Sequence, residues 1–221
     1  MKFQSRASNF IFLILLLFIG SLSAVAQDAP LQGFDDYVNK AIKDWDVPGV
    51  AIAVVKDDKV VFAKGYGVRE LGKPEKVDEN TMFAIGSSSK AFTSAAIAML
   101  VDDGKLKWDD HATKYLPGFQ LFDPYVTREM TVRDLLSHRI GLERGDQLWY
   151  ATDYSRDDIL RRIRFLQPSS SMRSKFGYQN IMFLAAGQIV PSVTGKEWDD
   201  FVRERIFVPL NMTSSSTSIR T

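Results

Sequence analysis

The chain contains no cysteine and only two histidines, His111 and His138. Without cysteine there are no disulfides and no thiolate metal sites, so the fold must be held by its core alone. With so few histidines and no His-Glu-x-x-His pair, a catalytic zinc ion would lack its usual ligands, and metal-dependent hydrolysis is not expected. Charge of one sign is not in excess either: 28 Lys and Arg stand against 27 Asp and Glu, a formal net charge of +1. That balance gives no reason to expect nucleic acid or an acidic membrane as a partner. Internal repeats are missing as well.

Long apolar runs are absent except at the N-terminus. Met1, Lys2 and Arg6 precede the stretch Phe10 to Ile19, which leads into Ser23-Ala24-Val25-Ala26. A basic start, an apolar middle and small residues at the end predict a signal peptide over residues 1–26, cut after Ala26. The apolar part is shorter than the roughly 20 residues of a membrane span, with an uncleaved N-terminal anchor as the alternative. No cysteine follows it, which excludes lipoprotein anchoring. The protein is therefore expected to be exported, to a periplasm or out of the cell. Residues 27–221 are long enough for one large domain or two small ones, with ordinary apolar content.

Phe34, Tyr37, Val38, Ala41, Ile42 and Trp45 recur at helical spacing and predict an amphipathic helix over 34–46, stopped by Pro48-Gly49. Two β-branched runs, Val50 to Val55 and Val60 to Ala63, flank the polar Lys56 to Lys59 and predict a hairpin buried on both faces. A surface loop is expected from Glu70 to Asn80. Ser88 to Asp103 is apolar on nearly all sides, which predicts a buried central helix ended by Gly104. A short helix is expected near Val132 to His138, capped by Thr131 with Asp134 three residues on. Further helices are expected at Asp158 to Phe165, Ile181 to Val190 and Trp198 to Phe207, the first of them turning Ile159, Leu160 and Ile163 inward. The order predicts an α+β fold whose small sheet has two obvious strands and no third before Thr221.

Ser87 and Lys90 form Ser-x-x-Lys at the start of the central helix, after Phe83-Ala84-Ile85-Gly86. In a chain rich in both residues, roughly one such match is expected by chance, so context decides. Residues i and i+3 of a helix share a face, which brings the ammonium to the hydroxyl. The helix N-terminus adds N–H groups where an oxyanion develops. Lysine ordinarily titrates at about 10.4, so half-deprotonation at neutral pH asks for a downward shift of about 3 units, which burial and the positive helix end both favour. The bland alternative is a helix cap beside a solvated lysine. Tyr178 and Asn180 weigh against it: a phenol able to relay the serine proton and an amide able to bind a carbonyl, two residues apart just before an apolar helix. His138 is read as structural. Arg139, Arg144, Asp146, Trp149 and Tyr150 are read as a packed surface loop rather than a border of the cleft.

Five segments occur in one order: Pro48-Gly49-Val50 to Val55, Phe83-x-Ile85-Gly86-Ser87-x-x-Lys90, Leu135-Leu136-Ser137-His138-x-x-Gly141-Leu142, Tyr178-x-Asn180 and Pro209-Leu210-x-Met212. In this the chain resembles the beta-lactamase-related serine hydrolases. Their class C branch also holds D-alanyl-D-alanine carboxypeptidases, D-aminopeptidases and esterases. The resemblance implies the serine beta-lactamase/penicillin-binding-protein-like fold over residues 27–221, C-terminally truncated, with the late sheet strands missing. It implies an acyl-enzyme on Ser87, formed from an amide, lactam or ester carbonyl. Lys90 and Tyr178 would share proton handling and Asn180 would bind substrate, with no cofactor and no metal. The expected partner is a small-molecule or peptide substrate with a reactive carbonyl; oligomeric state is not readable. The family's third motif, Lys-Thr-Gly or His-x-Gly on a late strand, has no counterpart before Thr221. That strand supplies an oxyanion donor, typically worth 10²- to 10³-fold in rate, so weak activity and low stability are expected of the segment alone. The alternative function is a non-catalytic module that binds peptidoglycan or a partner protein.

Overall fold

The computed structural model describes residues 31–219. The signal peptide read at residues 1–26 lies outside the described residues. The chain divides into two compact units, up to Thr81 and from Met82 onward.

The first unit is a helix and a hairpin. Helix α1 (Phe34–Asp44) carries Asp35 and Asp36 in its first turn and Lys43 in its last, the charge order a helix dipole favours. Strands β1 (Gly49–Lys56) and β2 (Lys59–Gly67) pair antiparallel, with Val54 opposite Phe62 and Val55 opposite Val60, so Val61 is bulged out. The two-residue turn between them holds Asp57 and Asp58 at φ of 50° and 58°. Positive φ at both positions gives a turn whose twist matches the strands, and aspartate tolerates it better than a bulky residue. Phe34 meets Phe62 edge-on at 5.3 Å, while Asp35 accepts from Lys64 at 2.7 Å and from Tyr66 Oη at 2.6 Å.

The hairpin is where the expectation of burial fails. Val55, Val60 and Val61 are exposed, and only Tyr66 of the two strands is fully buried. The strands are apolar on both faces, yet among the described residues of this unit only α1 and the segment around Val77, which passes close over Gly49 and Gly65, cover them. The apolar run fixes the strand type, but not what lies over it.

The second unit is helical. A 3₁₀ turn (Gly86–Ser89) runs directly into α2 (Lys90–Asp102), in which Thr93, Ala96, Ile97 and Leu100 are buried. Gly104 follows at φ 70°, the left-handed stop expected of it. Next come α3 (Pro124–Glu129), α4 (Val132–Leu135), α5 (Arg156–Arg162), α6 (Asn180–Thr194) and α7 (Trp198–Val202). Helix α6 packs on α2, α4, α5 and α7. Its Ala185, Ala186 and Gly187 are buried small residues that let neighbours approach. Ile97, Leu100, Leu135, Ile163, Met182 and Ile189 lie fully buried around this packing. Each such side chain contributes about 1.5 to 3 kcal/mol. Ile159 and Ile163 point inward as expected, and α3 starts on Pro124 with Asp123 as its cap.

Helix α4 is shorter than expected and ends before His138, which sits at φ 54°. Its Thr131 and Asp134 form the reciprocal capping box. Asp134 has no exposed surface, yet accepts from Thr131, from Arg139 Nε at 2.7 Å and from Arg173 at 2.6 Å. Burial pushes its carboxyl pKa up. The Arg173 guanidinium, the Thr131 donors and Arg139 outweigh that and bring it to about 2. This carboxylate ties residues 131–139 to residue 173, the two chain segments that flank the site described below.

Asp134→Ala is expected to lose about 2 to 4 kcal/mol of stability in urea unfolding, from the lost cap and charge-assisted hydrogen bonds. Because the folded-state pKa is depressed from 3.8 to about 2, the carboxylate's contribution is present above the unfolded value and lost as pH falls between the two. The stability of the unsubstituted protein should therefore drop over that window more steeply than that of Asp134→Ala.

Candidate active site

Ser87 lies in the 3₁₀ turn, after Gly86 at φ 51°. That left-handed residue suits glycine, and nothing lies near where its side chain would stand, so the approach to Ser87 is open. Lys90 is the first residue of α2 and is half-buried, less enclosed than the apolar helix had implied. Its Nζ lies 3.0 Å from Ser87 Oγ, 2.8 Å from Tyr178 Oη and 2.6 Å from Asn180 Oδ1. Tyr178 Oη and Ser87 Oγ are 2.6 Å apart. All four residues singled out in the sequence therefore meet at one point, from segments about ninety positions apart.

Local structure brings Tyr178 there. Gly177 donates to the His138 carbonyl at 2.8 Å, and a side chain at 177 would collide with Leu142 O, 2.5 Å away. The Gln179 N–H donates to His138 Nδ1 at 3.0 Å. The Gln179 side chain, almost fully buried, caps α6 by accepting from the Ile181 N–H and anchors to the Glu143 carbonyl. Asn180 then opens the helix.

His138 takes no part in the contact around Ser87. Its ring stacks on Tyr178 at 4.4 Å between centroids, with an interplanar angle of 29°. Burial and the nearby Lys90 charge hold its pKa below the usual imidazole value. A neutral ring that accepts at Nδ1 carries its proton on Nε2. It works as a plate and an acceptor that hold the Tyr178 segment, in line with a structural reading.

Electrostatics favour an acidic phenol. The Tyr178 pKa is lowered, first by the hydrogen bond from Lys90 and then by that with Ser87, against a smaller opposing effect of burial; the charges of Lys90 and Arg144 add to it. Lys90 Nζ and the Arg144 guanidinium lie 4.8 and 5.5 Å from the centre of the Tyr178 ring. A serine hydroxyl, a phenol shifted towards its anion and an amine in mutual hydrogen-bond reach form an arrangement that can move a proton off Ser87 and return it elsewhere.

Ser87 and Lys90 open onto a cleft of about 770 Å³ walled by Trp149, Tyr150, Ile159, Phe183, Leu184 and Trp198. Arg144 and Asp146 also line it. This corrects the reading of residues 144–150 as a packed surface loop: they form one side of the cleft. Arg139 alone of that group turns away, to Asp134. The sequence marked Ile159 as inward-facing and Trp198 as the start of a helix, but nothing in it placed them beside Ser87.

A family model described as Beta-lactamase matches residues 34–219. The unguisins hydrolase ungD' of Aspergillus campestris is 35% identical over 198 residues, which cover 85% of this chain and 36% of that protein. The octameric penicillin-binding protein homologue from Pyrococcus abyssi superposes with a TM-score of 0.71 at 26% identity, over 80% of this chain and 42% of the other. The D-amino acid amidase from Ochrobactrum anthropi SV3 does so with a TM-score of 0.66 at 26% identity, over 80% and 47%. The chain thus spans between a third and a half of the length of these relatives. With a match across both units, and with the serine, lysine, tyrosine and asparagine of its motifs in mutual contact beside one cleft, the chain belongs to the beta-lactamase-related serine hydrolase family.

Proposed function

We propose that the protein is an exported serine hydrolase that forms an acyl-enzyme through Ser87 on an amide, lactam or ester carbonyl. The observation that carries this reading is the contact of Ser87 Oγ with both Lys90 Nζ and Tyr178 Oη, at 3.0 and 2.6 Å. Ser87 Oγ attacks the carbonyl carbon as its proton passes to the Tyr178–Lys90 pair, either to a phenolate held beside the ammonium or through the phenol to a neutral amine. Which of the two is written as the base is a choice between microstates of one coupled pair. The tetrahedral intermediate collapses, and the same pair returns the proton to the departing nitrogen or oxygen. Water then attacks the acyl carbon with its proton taken by the same route, which frees Ser87.

Asn180 has one amide hydrogen to spare for the substrate carbonyl, since its Oδ1 faces Lys90 and its Nδ2 also donates to Asp146. The apolar walls of the cleft favour an acyl group that carries a sizeable hydrocarbon or aromatic side chain over a small one such as acetyl. Relatives named as a hydrolase of unguisins and as a D-amino acid amidase support carbonyl hydrolysis as the reaction class.

The test is intact-mass spectrometry after exposure to a fluorophosphonate, a p-nitrophenyl ester and a penicillin. The expected result is a single adduct mapping to Ser87 from at least the fluorophosphonate, and none in Ser87→Ala. No adduct from any reagent, or one that persists in Ser87→Ala, sinks the reading. Tyr178→Phe and Lys90→Ala are each expected to slow adduct formation by about 10²- to 10⁴-fold, the usual range for losing a positioned acid–base group.

A further inference from the structure

Asn180 can present either end of its amide to Lys90, and only one end is compatible with proton transfer from Ser87. Its oxygen is a pure acceptor and its nitrogen a pure donor. With the oxygen towards Lys90, the amine always donates in that direction. When Lys90 is neutral, its lone pair is then left to a hydroxyl, that of Ser87 or Tyr178. With the nitrogen towards Lys90, an N–H of Asn180 would occupy that lone pair in the neutral state and oppose a donor in the charged one.

The structure decides between the two through Asp146. Its Oδ1 accepts from Asn180 Nδ2 at 3.0 Å and from Trp149 Nε1 at 3.1 Å, and its Oδ2 accepts from Arg144 Nε at 2.6 Å. A carboxylate has no hydrogen to give, so the Asn180 nitrogen must face Asp146 and the oxygen must face Lys90, where it lies 2.6 Å from Nζ. Arg144, then Asn180 and Trp149, hold the Asp146 carboxyl below its usual range and so keep it an acceptor at neutral pH. We propose that Asp146 is a positioning residue that locks the Asn180 amide with its oxygen on Lys90, and so leaves the remaining positions on the lysine nitrogen, hydrogen or lone pair, to the Ser87–Tyr178 hydroxyls. This rests on the acyl-enzyme reading above, because the lysine needs directing only where Ser87 gives up its proton.

Two substitutions separate orientation from charge. Asp146→Leu removes the acceptor while keeping a side chain branched at Cγ, whereas Asp146→Asn removes the charge but keeps an oxygen able to face Asn180 and Trp149. The fluorophosphonate labelling rate is expected to fall about 10- to 100-fold in Asp146→Leu, the scale of a catalytic group misplaced by about an ångström. In Asp146→Asn more than half of that loss, on a logarithmic scale, should be recovered. Equal impairment in the two variants would overturn the proposal in favour of a charge effect, and an unchanged rate in Asp146→Leu would overturn it outright. A second readout does not depend on activity: the Asn180 side-chain amide proton signals in ¹⁵N-labelled protein. One proton should be shifted downfield by the carboxylate, and that shift should collapse in Asp146→Leu. If it does not, the lock does not exist. If the unsubstituted protein takes no adduct while the amide signals behave as expected, the acyl-enzyme reading fails and the locked amide stands.

Discussion

One lysine nitrogen joins the two segments of the candidate site. Lys90 Nζ reaches Ser87 in its own turn and Tyr178 and Asn180 at the start of α6, three oxygens at 2.6 to 3.0 Å. A half-buried polar nitrogen is tolerable only with such company, since an unpaired one would lose hydration without return. The same contacts set the phenol beside the serine and lower its pKa.

That contact is only as good as the packing beneath it. Helices α2 and α6 meet through Ile97, Leu100, Met182 and Ile189, with small residues on α6 allowing close approach. Their first residues, Lys90 and Asn180, are brought together by that packing rather than by any local rule. Around it stands a layer of polar groups with fixed partners: Gln179 capping α6, His138 holding the Gln179 N–H and stacking on Tyr178, Asp134 gripping two arginines. Each is satisfied away from bulk water, which restricts the segment to one conformation and keeps the reacting oxygens in register.

Proteins of this fold carry out different reactions, and the division of labour here accords with that. In the proposed reaction the four motif residues supply chemistry that any activated carbonyl can use, while the cleft walls, Trp149, Tyr150, Ile159 and Trp198, come from loop 143–150 and from helices outside the motifs. On that proposal, substrate choice changes by wall substitutions that leave the four residues untouched. Asp146 belongs to both, lining the cleft while contacting the relay through Asn180.

Much was legible without coordinates. The helices α1 and α6, the hairpin with its short polar turn and the Thr131–Asp134 capping box are local features, written in spacing and turn chemistry over a few residues, although of the apolar stripe expected on α1 only Val38 is buried while Tyr37 and Trp45 are exposed. So was the alignment of Ser87 with Lys90, because both sit on one helical turn. What coverage the hairpin faces receive, the stacking of His138 on Tyr178, the role of loop 143–150 as a cleft wall and the lock of Asp146 on Asn180 all needed tertiary structure. Each depends on which side chains distant in sequence share a site, and periodicity records only which face of an element is apolar, not which neighbour that face will meet.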